Sequence, residues 1–408
     1  MADLTCTDLA RPFFVVHVVW HPSCEIGEII ADTLMQHFRR NLYKNIVGGI
    51  GIPVVFRSTC LPDASTPIPI LLEDSETSAT VVVLDENLVS STEWLDYINR
   101  ANAQVTEASE GGFKRLFFPV AISHEALSNA QIRAQAIRWY NWEGNDGQRI
   151  QRLLSDLTYE FCRILRYNLA QLEHPTERNI AEYLKKVQIF LSHSKHDDEG
   201  VDIANAIRDR IYQGSGLASF FDVHDIPAGL QFDEVLLHQV RVSAMVAIHT
   251  DSYSSREWCR KEIIEAKTWN VPLVVANSIN TMDERGFPYM GNVPLVRLGY
   301  DVTDTTRIDI VIGRLLDEVL KDFLWKCQTQ QIRKDLPARA IFIPRPPELI
   351  SLSCIPDVYT DTQDSSARDL IIIYPDPPLS TEEERLLNRV APHVQIRSLN
   401  EWKAGATR

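Results

Sequence analysis

The chain has 408 residues, 45% of them hydrophobic, which suits two or three domains with real cores and excludes a disordered or fibrous chain. A formal charge of -14 and a pI near 5.3 argue against a surface that tracks nucleic-acid phosphates or anionic lipid, since that needs a basic excess. The opening MADLTCTDLA has no secretion-signal pattern, no apolar run is long enough to span a bilayer, and the seven cysteines include no CxxC pair. A cytosolic protein with no disulfide framework, zinc site or membrane partner is therefore expected.

The first segment opens with a buried-strand run, FFVVHVVW (Phe13 to Trp20), followed by the helical pattern EIGEIIADTLMQHFRRNL. GIPVVFRS, ATVVVLDE, KRLFFPVAI and AIRWYNW read as further strands, and SSTEWLDYI (Ser90 to Ile98) leads a helix between two of them. GQRIQRLLSDLTYEFCRILRYNLAQLE closes the unit as a long amphipathic helix. Apolar runs alternating with helices predict an α/β domain over residues 10–173, its parallel sheet covered on both faces.

After a polar linker, 174–185, the order restarts. VQIFLSHS, LASFFDV, AMVAIHT and VPLVVAN are predicted strands, with helices between them, and a long helix from Thr305 closes a second unit over 186–334. The segment SSREWCRKE (Ser254 to Glu262) repeats the earlier SSTEWLDYI, which argues for duplication of one fold. Residues 335–408 read strand, loop, strand, helix, strand: a small α/β segment.

No phosphate-gripping motif stands up. GGIGIP (Gly48 to Pro53) precedes a strand instead of following one, so it reads as a turn. GxxxxGK[ST], HExxH and GxSxG are absent. His193 and His196 lie just past the carboxyl end of a strand, where open α/β sheets bind ligands. With no third ligand in view they read as loop residues and no metal is called. Trp258 and Glu262 stand at i and i+4 on a helix near the same edge of the sheet. An aromatic plane beside a carboxylate suits a planar cationic ligand, although the charged string REWCRKEIIEAK also fits a solvated helix face.

Several ordered blocks of the second unit resemble the Toll/interleukin-receptor (TIR) domain. VQIFLSHSKHDD is similar to the family's first strand, SFFDVHDIPAGLQFDE to its second strand and BB loop, and SAMVAIHTDSYSSREWCRKEIIEA to its third strand and WC..E helix. FPYMGNVPLVRL (Phe287 to Leu298) resembles a stretch of bacterial members. The resemblance implies two flavodoxin-like units with parallel sheets, the first a degenerate TIR-like copy. It implies that Glu262 is the catalytic residue of NAD cleavage, that Trp258, Phe220 and Asp222 flank the dinucleotide, and that Ser192 and His193 lie on its other side. NAD is then substrate and no cofactor is called. The product is ADP-ribose or a cyclic isomer, and the context is a bacterial antiviral effector that self-associates through TIR domains, with Asp225 to Asp233 as the movable loop. A sensor protein or nucleotide signal is the implied trigger. Competing classes are a non-enzymatic TIR scaffold and a synthase of a cyclic ADP-ribose signal. In the first copy Ile98 replaces the glutamate and STCLPDASTPIP replaces the BB loop, so that copy is expected to be inactive.

Overall fold

The computed structural model describes residues 11–39, 49–60, 64–109, 112–130, 132–174, 185–213, 217–220, 232–283, 285–299, 301, 304–333, 340–353 and 370–405, with 213, 217–220 and 232–235 by backbone alone. The chain divides into two units, Met1–Tyr183 and Leu184–Arg408.

In the first unit β1 (Phe14–Val19), β2 (Val54–Arg57), β3 (Thr77–Leu84), β4 (Arg115–Ala121) and β5 (Ile137–Arg138) form one sheet in the order β2-β1-β3-β4-β5. Every pairing is parallel. β1 and β3 are buried along their whole length, as a central strand covered on both faces requires. The helices are α1 (Glu25–Phe38), α2 (Glu86–Ser90), α3 (Thr92–Ala108), α4 (His124–Ala130) and α5 (Asp146–Glu173). Their starts follow from local chemistry. The Asp85 carboxylate caps α2 by accepting from the Leu88 and Asn87 amides, Ser91 caps α3, and Asn145 with Gln148 forms a capping box on α5.

One strand expectation changes. AIRWYNW forms only the two-residue β5, and Trp139–Asn141 is a 3-10 turn. Only Ile137 and Arg138 have partners on β4; the turn then carries Trp139 inward to 2% exposure, against Trp142 at 5.8 Å. Burying that ring wins over extending an edge strand that has lost its partner.

The second unit repeats the architecture. β6 (Val187–Ser192), β7 (Leu217–Phe220), β8 (Ala244–His249), β9 (Leu273–Asn277) and β10 (Leu295–Arg297) are ordered β7-β6-β8-β9-β10, which is the first unit's order strand for strand. All pairings are again parallel. The helices are α6 (Asp198–Gln213), α7 (Phe232–Val242), α8 (Glu257–Thr268) and α9 (Thr305–Ile332). β10 was not foreseen: three residues, two of them exposed, carry too little apolar pattern to signal a strand. The strand order reverses direction between β6 and β8, and in such sheets ligands bind outside the carboxyl ends of the strands at that point.

The C-terminal segment contributes β11 (Ala340–Phe342), α10 (Leu349–Ser353), β12 (Leu370–Tyr374), α11 (Thr381–Val390), β13 (Val394–Ser398) and α12 (Leu399–Lys403). Its parallel sheet runs β11-β12-β13 over a core that includes Ile372, Tyr374 and Ile396. It is tied to α8 through Lys267, whose side chain is 1% exposed and whose Nζ lies 2.9 Å from Glu348 and donates to the Gly291 carbonyl at 2.7 Å. Arg345 donates to the Val271 carbonyl.

Candidate active site

The candidate site is built on the β6 and β8 ends and the start of α8. A 3-10 turn, Tyr253–Ser255, follows β8, and α8 begins only at Glu257. The reason is local: Ser254 Oγ is committed to Asp283 at 3.0 Å and Ser255 Oγ to the Ser252 carbonyl at 2.7 Å. Neither hydroxyl caps the helix, and Arg256 occupies the N-cap with extended backbone and no side-chain cap. The turn drives Tyr253 fully inside.

On α8 the residues Cys259, Ile263 and Ala266 form the buried stripe. Glu262 shares that stripe, so the helical period carries a carboxylate to a place where it calls for an apolar side chain. Glu262 is 6% exposed. The solvated-face expectation therefore fails for this residue, although Glu257, Lys261 and Ile264 on the outer face are exposed.

A buried carboxylate needs donors. Ser192 Oγ, at the end of β6 and 1% exposed, donates to Glu262 Oε2 at 2.5 Å. Tyr253 lies 2.5 Å from the same Ser192 oxygen. Burial, with Cys259 and Glu262 beside it, pushes the Tyr253 phenol well above its usual range, so it stays protonated. Because the single Ser192 proton goes to the carboxylate, Tyr253 must donate to Ser192. The result is a directed chain, Tyr253 to Ser192 to Glu262, that fixes the carboxylate.

Beside this chain lies a pocket of about 160 Å³ lined by His193, Ser194, Lys195, His196, Leu236, Arg256, Glu257, Trp258, Cys259 and Glu262. His193 Nδ1 is 3.2 Å from the Leu191 carbonyl, and Cys259 Sγ lies 3.7 Å from the His193 carbonyl. Trp258 is half-buried and packs on the core beneath α8, and Lys261 Nζ stands 4.7 Å from its ring centroid. The ring thus already attracts one cation. Lys195 and Arg256 are exposed at the rim.

Of the residues read from the sequence, Glu262, Trp258 and His193 meet at this pocket, and Ser192 supports Glu262 from behind. Phe220 has only its backbone described, at the end of β7, and Asp222 with Asp225 to Gln231 lies outside the described residues. Sequence reasoning missed Tyr253, whose role depends on the turn before α8, and Cys259, Arg256 and Leu236. Among the described residues no group of three or more His, Cys, Asp or Glu could hold a metal ion, and no helix is long and apolar enough to cross a membrane.

Residues 189–285 match the family model of the TIR domain, so a TIR domain is present in the second unit. No curated protein matches the chain. Among solved structures, a Silicibacter pomeroyi DSS-3 protein provisionally described as a phosphosugar isomerase shares 10% identity over 78% of this chain and 87% of its own. Its TM-score is 0.20.

Proposed function

We propose that the TIR domain hydrolyses the bond between nicotinamide and ribose in NAD, with Glu262 as the catalytic residue. The observation that carries this reading is a carboxylate, 6% exposed, that nonetheless lines a pocket and is held by Ser192 at 2.5 Å. A carboxylate kept out of water and fixed by protein donors is strong where positive charge develops.

One carboxylate suffices for this chemistry. Ordinary glycosides need an acid for the leaving oxygen and a second carboxylate at the anomeric carbon. The nicotinamide of NAD is a cationic leaving group that departs neutral, so no general acid is required. Glu262 faces the oxocarbenium-like carbon and accepts from the ribose hydroxyls. Water adds at that carbon, giving ADP-ribose, nicotinamide and a proton; attack by an adenine nitrogen would give a cyclic isomer instead. Trp258 and His193 bound the pocket, and the rim cations Lys195 and Arg256 suit a diphosphate. Phe220 and Asp222 remain proposed contacts.

The proposed division is 10–173, a degenerate TIR-like unit; 174–185, a linker; 186–334, the TIR domain; and 335–408, a C-terminal segment. The first assignment is supported by the shared strand order. The enzyme is proposed to act as a self-associating cytoplasmic effector in bacterial antiviral defence.

The test is nicotinamide release from NAD by the purified chain, in dilute buffer and with a crowding agent, repeated with Glu262→Gln. Release by wild type and its loss in the variant support the reading. Release that persists in the variant removes Glu262 from its role, and no release under any assembling condition favours the scaffold. Product chromatography separates hydrolysis from cyclisation.

A further inference from the structure

His17 is the fourth residue of β1, in the middle of the first unit, and is 3% exposed. Neither ring nitrogen has a hydrogen-bond partner among the described residues. An imidazole always carries at least one N–H, and leaving buried polar atoms unpaired costs about 1–3 kcal/mol each, so something should satisfy it.

Its neighbours make the case specific. His17 pairs in register with Thr80 on β3, and Val15 with Ser78. Residues paired across a sheet share a face, so His17, Ser78 and Thr80 lie together. Ser78 is 1% exposed and Thr80 fully buried, and neither hydroxyl has a partner among the described residues. Arg115 on β4 is paired with Ser78 and therefore faces the same way. Arg57 on β2 is two residues beyond Val55, the partner of His17, and also shares the face.

Among the described residues these arginines are bonded to neutral groups. Arg115, 9% exposed, gives its guanidinium to Ser75, at 2.7 Å to the carbonyl and 3.4 Å to the hydroxyl. Arg57 donates to the Phe56 carbonyl at 3.0 Å while its Nε has no partner among the described residues. Neither arginine forms an ion pair there. Glu73 and Glu76 act on Arg115 only at longer range, and Glu76 pairs with Arg11 at 3.2 Å. Burial, then Arg57 and Arg115, push the imidazole down to about 4. The ring is neutral at pH 7, with one donor and one acceptor. The segment from Ile68 to Ser75 is held at both ends, since Tyr97 donates to the Ile68 carbonyl at 3.0 Å and Arg115 to Ser75. Arg57 is half-buried on the edge strand.

The second unit is the control. Counted along the paired strands, His17, Thr80 and Arg115 correspond to Phe190, Met245 and Val271. Ser243, the counterpart of Ser78, is also buried and without a partner among the described residues, but the paired positions beside it, Phe190, Met245 and Val271, carry apolar side chains where the first unit has His17, Thr80 and Arg115. The polar layer is a property of the first unit's sequence, not of the fold.

We propose that the first unit binds an oxyanion of the phosphate class, free or as the phosphoryl group of a small ligand, between Arg57, Arg115, His17, Ser78 and Thr80. Two guanidinium groups supply the charge, the hydroxyls and the imidazole N–H supply donors, and a dry site makes each contact strong. This site is separate from the Glu262 pocket and does not depend on the reading of that pocket.

The experiment is titration of the full chain with inorganic phosphate and, separately, with AMP, at constant ionic strength against chloride. Binding is followed by calorimetry and by the His17 imidazole NMR signals. Saturable binding is expected, with the His17 signals shifting and with affinity falling at least tenfold in Arg57→Gln, a substitution at a half-buried position that spares the fold. Binding of phosphate alone identifies the free anion; much tighter binding of AMP identifies a phosphoryl ligand. No saturable binding of either probe, or binding that leaves the wild-type His17 signals unmoved, overturns the proposal. So does affinity unchanged in Arg57→Gln.

Discussion

Val19, Val89 and Ile98 in the first unit stand where Ser192, Tyr253 and Glu262 stand in the second, and His17, Thr80 and Arg115 stand where Phe190, Met245 and Val271 stand. The first trio lies in one buried apolar cluster with Trp94; its counterpart is a hydrogen-bonded chain. Two units with the same strand order thus place their interior polarity at different positions along the same strands. The strand order supplies the frame, and individual side chains decide where along it a ligand can sit. The contrast also accounts for Trp94 and Trp258, the matched residues of the repeat. Trp94 is 3% exposed because an aliphatic neighbour lets the cluster close over it, whereas Trp258 borders a pocket.

The comparison can be broken from either side. Glu262→Ile makes the second unit like the first, and nicotinamide release should fall by about a thousandfold, the scale of removing one preorganised electrostatic group. The reciprocal Ile98→Glu should yield no NAD cleavage. It should destabilise the first unit by about 3 kcal/mol in urea unfolding, because a buried carboxylate there has no Ser192 or Tyr253 to meet it. Ser192→Val removes the donor to Glu262; losing a hydrogen bond to a charged group, about 2 kcal/mol, should lower kcat/KM roughly thirtyfold.

His17→Phe installs the second unit's residue and sharpens the contrast through pH. The folded imidazole titrates at about 4 and the unfolded one near 6.5. Between those values the unfolded chain binds more protons, so stability falls as pH drops from 6.5 toward 4 and is unaffected above 6.5. Wild type should lose about 2 kcal/mol between pH 7 and 5 from this group, a loss absent in His17→Phe, measured by urea midpoints. Tyr253→Phe should have the smallest effect, a fall in kcat/KM of roughly fivefold, because Ser192 still donates to Glu262.

The fold was largely legible because both units write their central strands as unbroken apolar runs and their helices with a clear period. β5 and β10 were not, being too short for a period to show, and Trp139 followed its own burial. Within the site, Glu262 and Trp258 could be found from their spacing and from the repeat. That Glu262 points inward could not, since REWCRKEIIEAK reads equally as a solvated string; the buried side of α8 is set by Cys259, Ile263 and Ala266 meeting the sheet. Tyr253 and the orphaned His17 depend on contacts across strands, to which local sequence is blind.

The Ser192 to Glu262 hydrogen bond joins residues 70 apart in the chain. A contact of that span forms only after β6 and β8 have paired, so its two groups face the full entropy of closing a long loop. Recovery of nicotinamide release during refolding should therefore lag the return of helical signal. A chain caught with its helices formed but its sheet open would hold Glu262 without a partner and without a pocket.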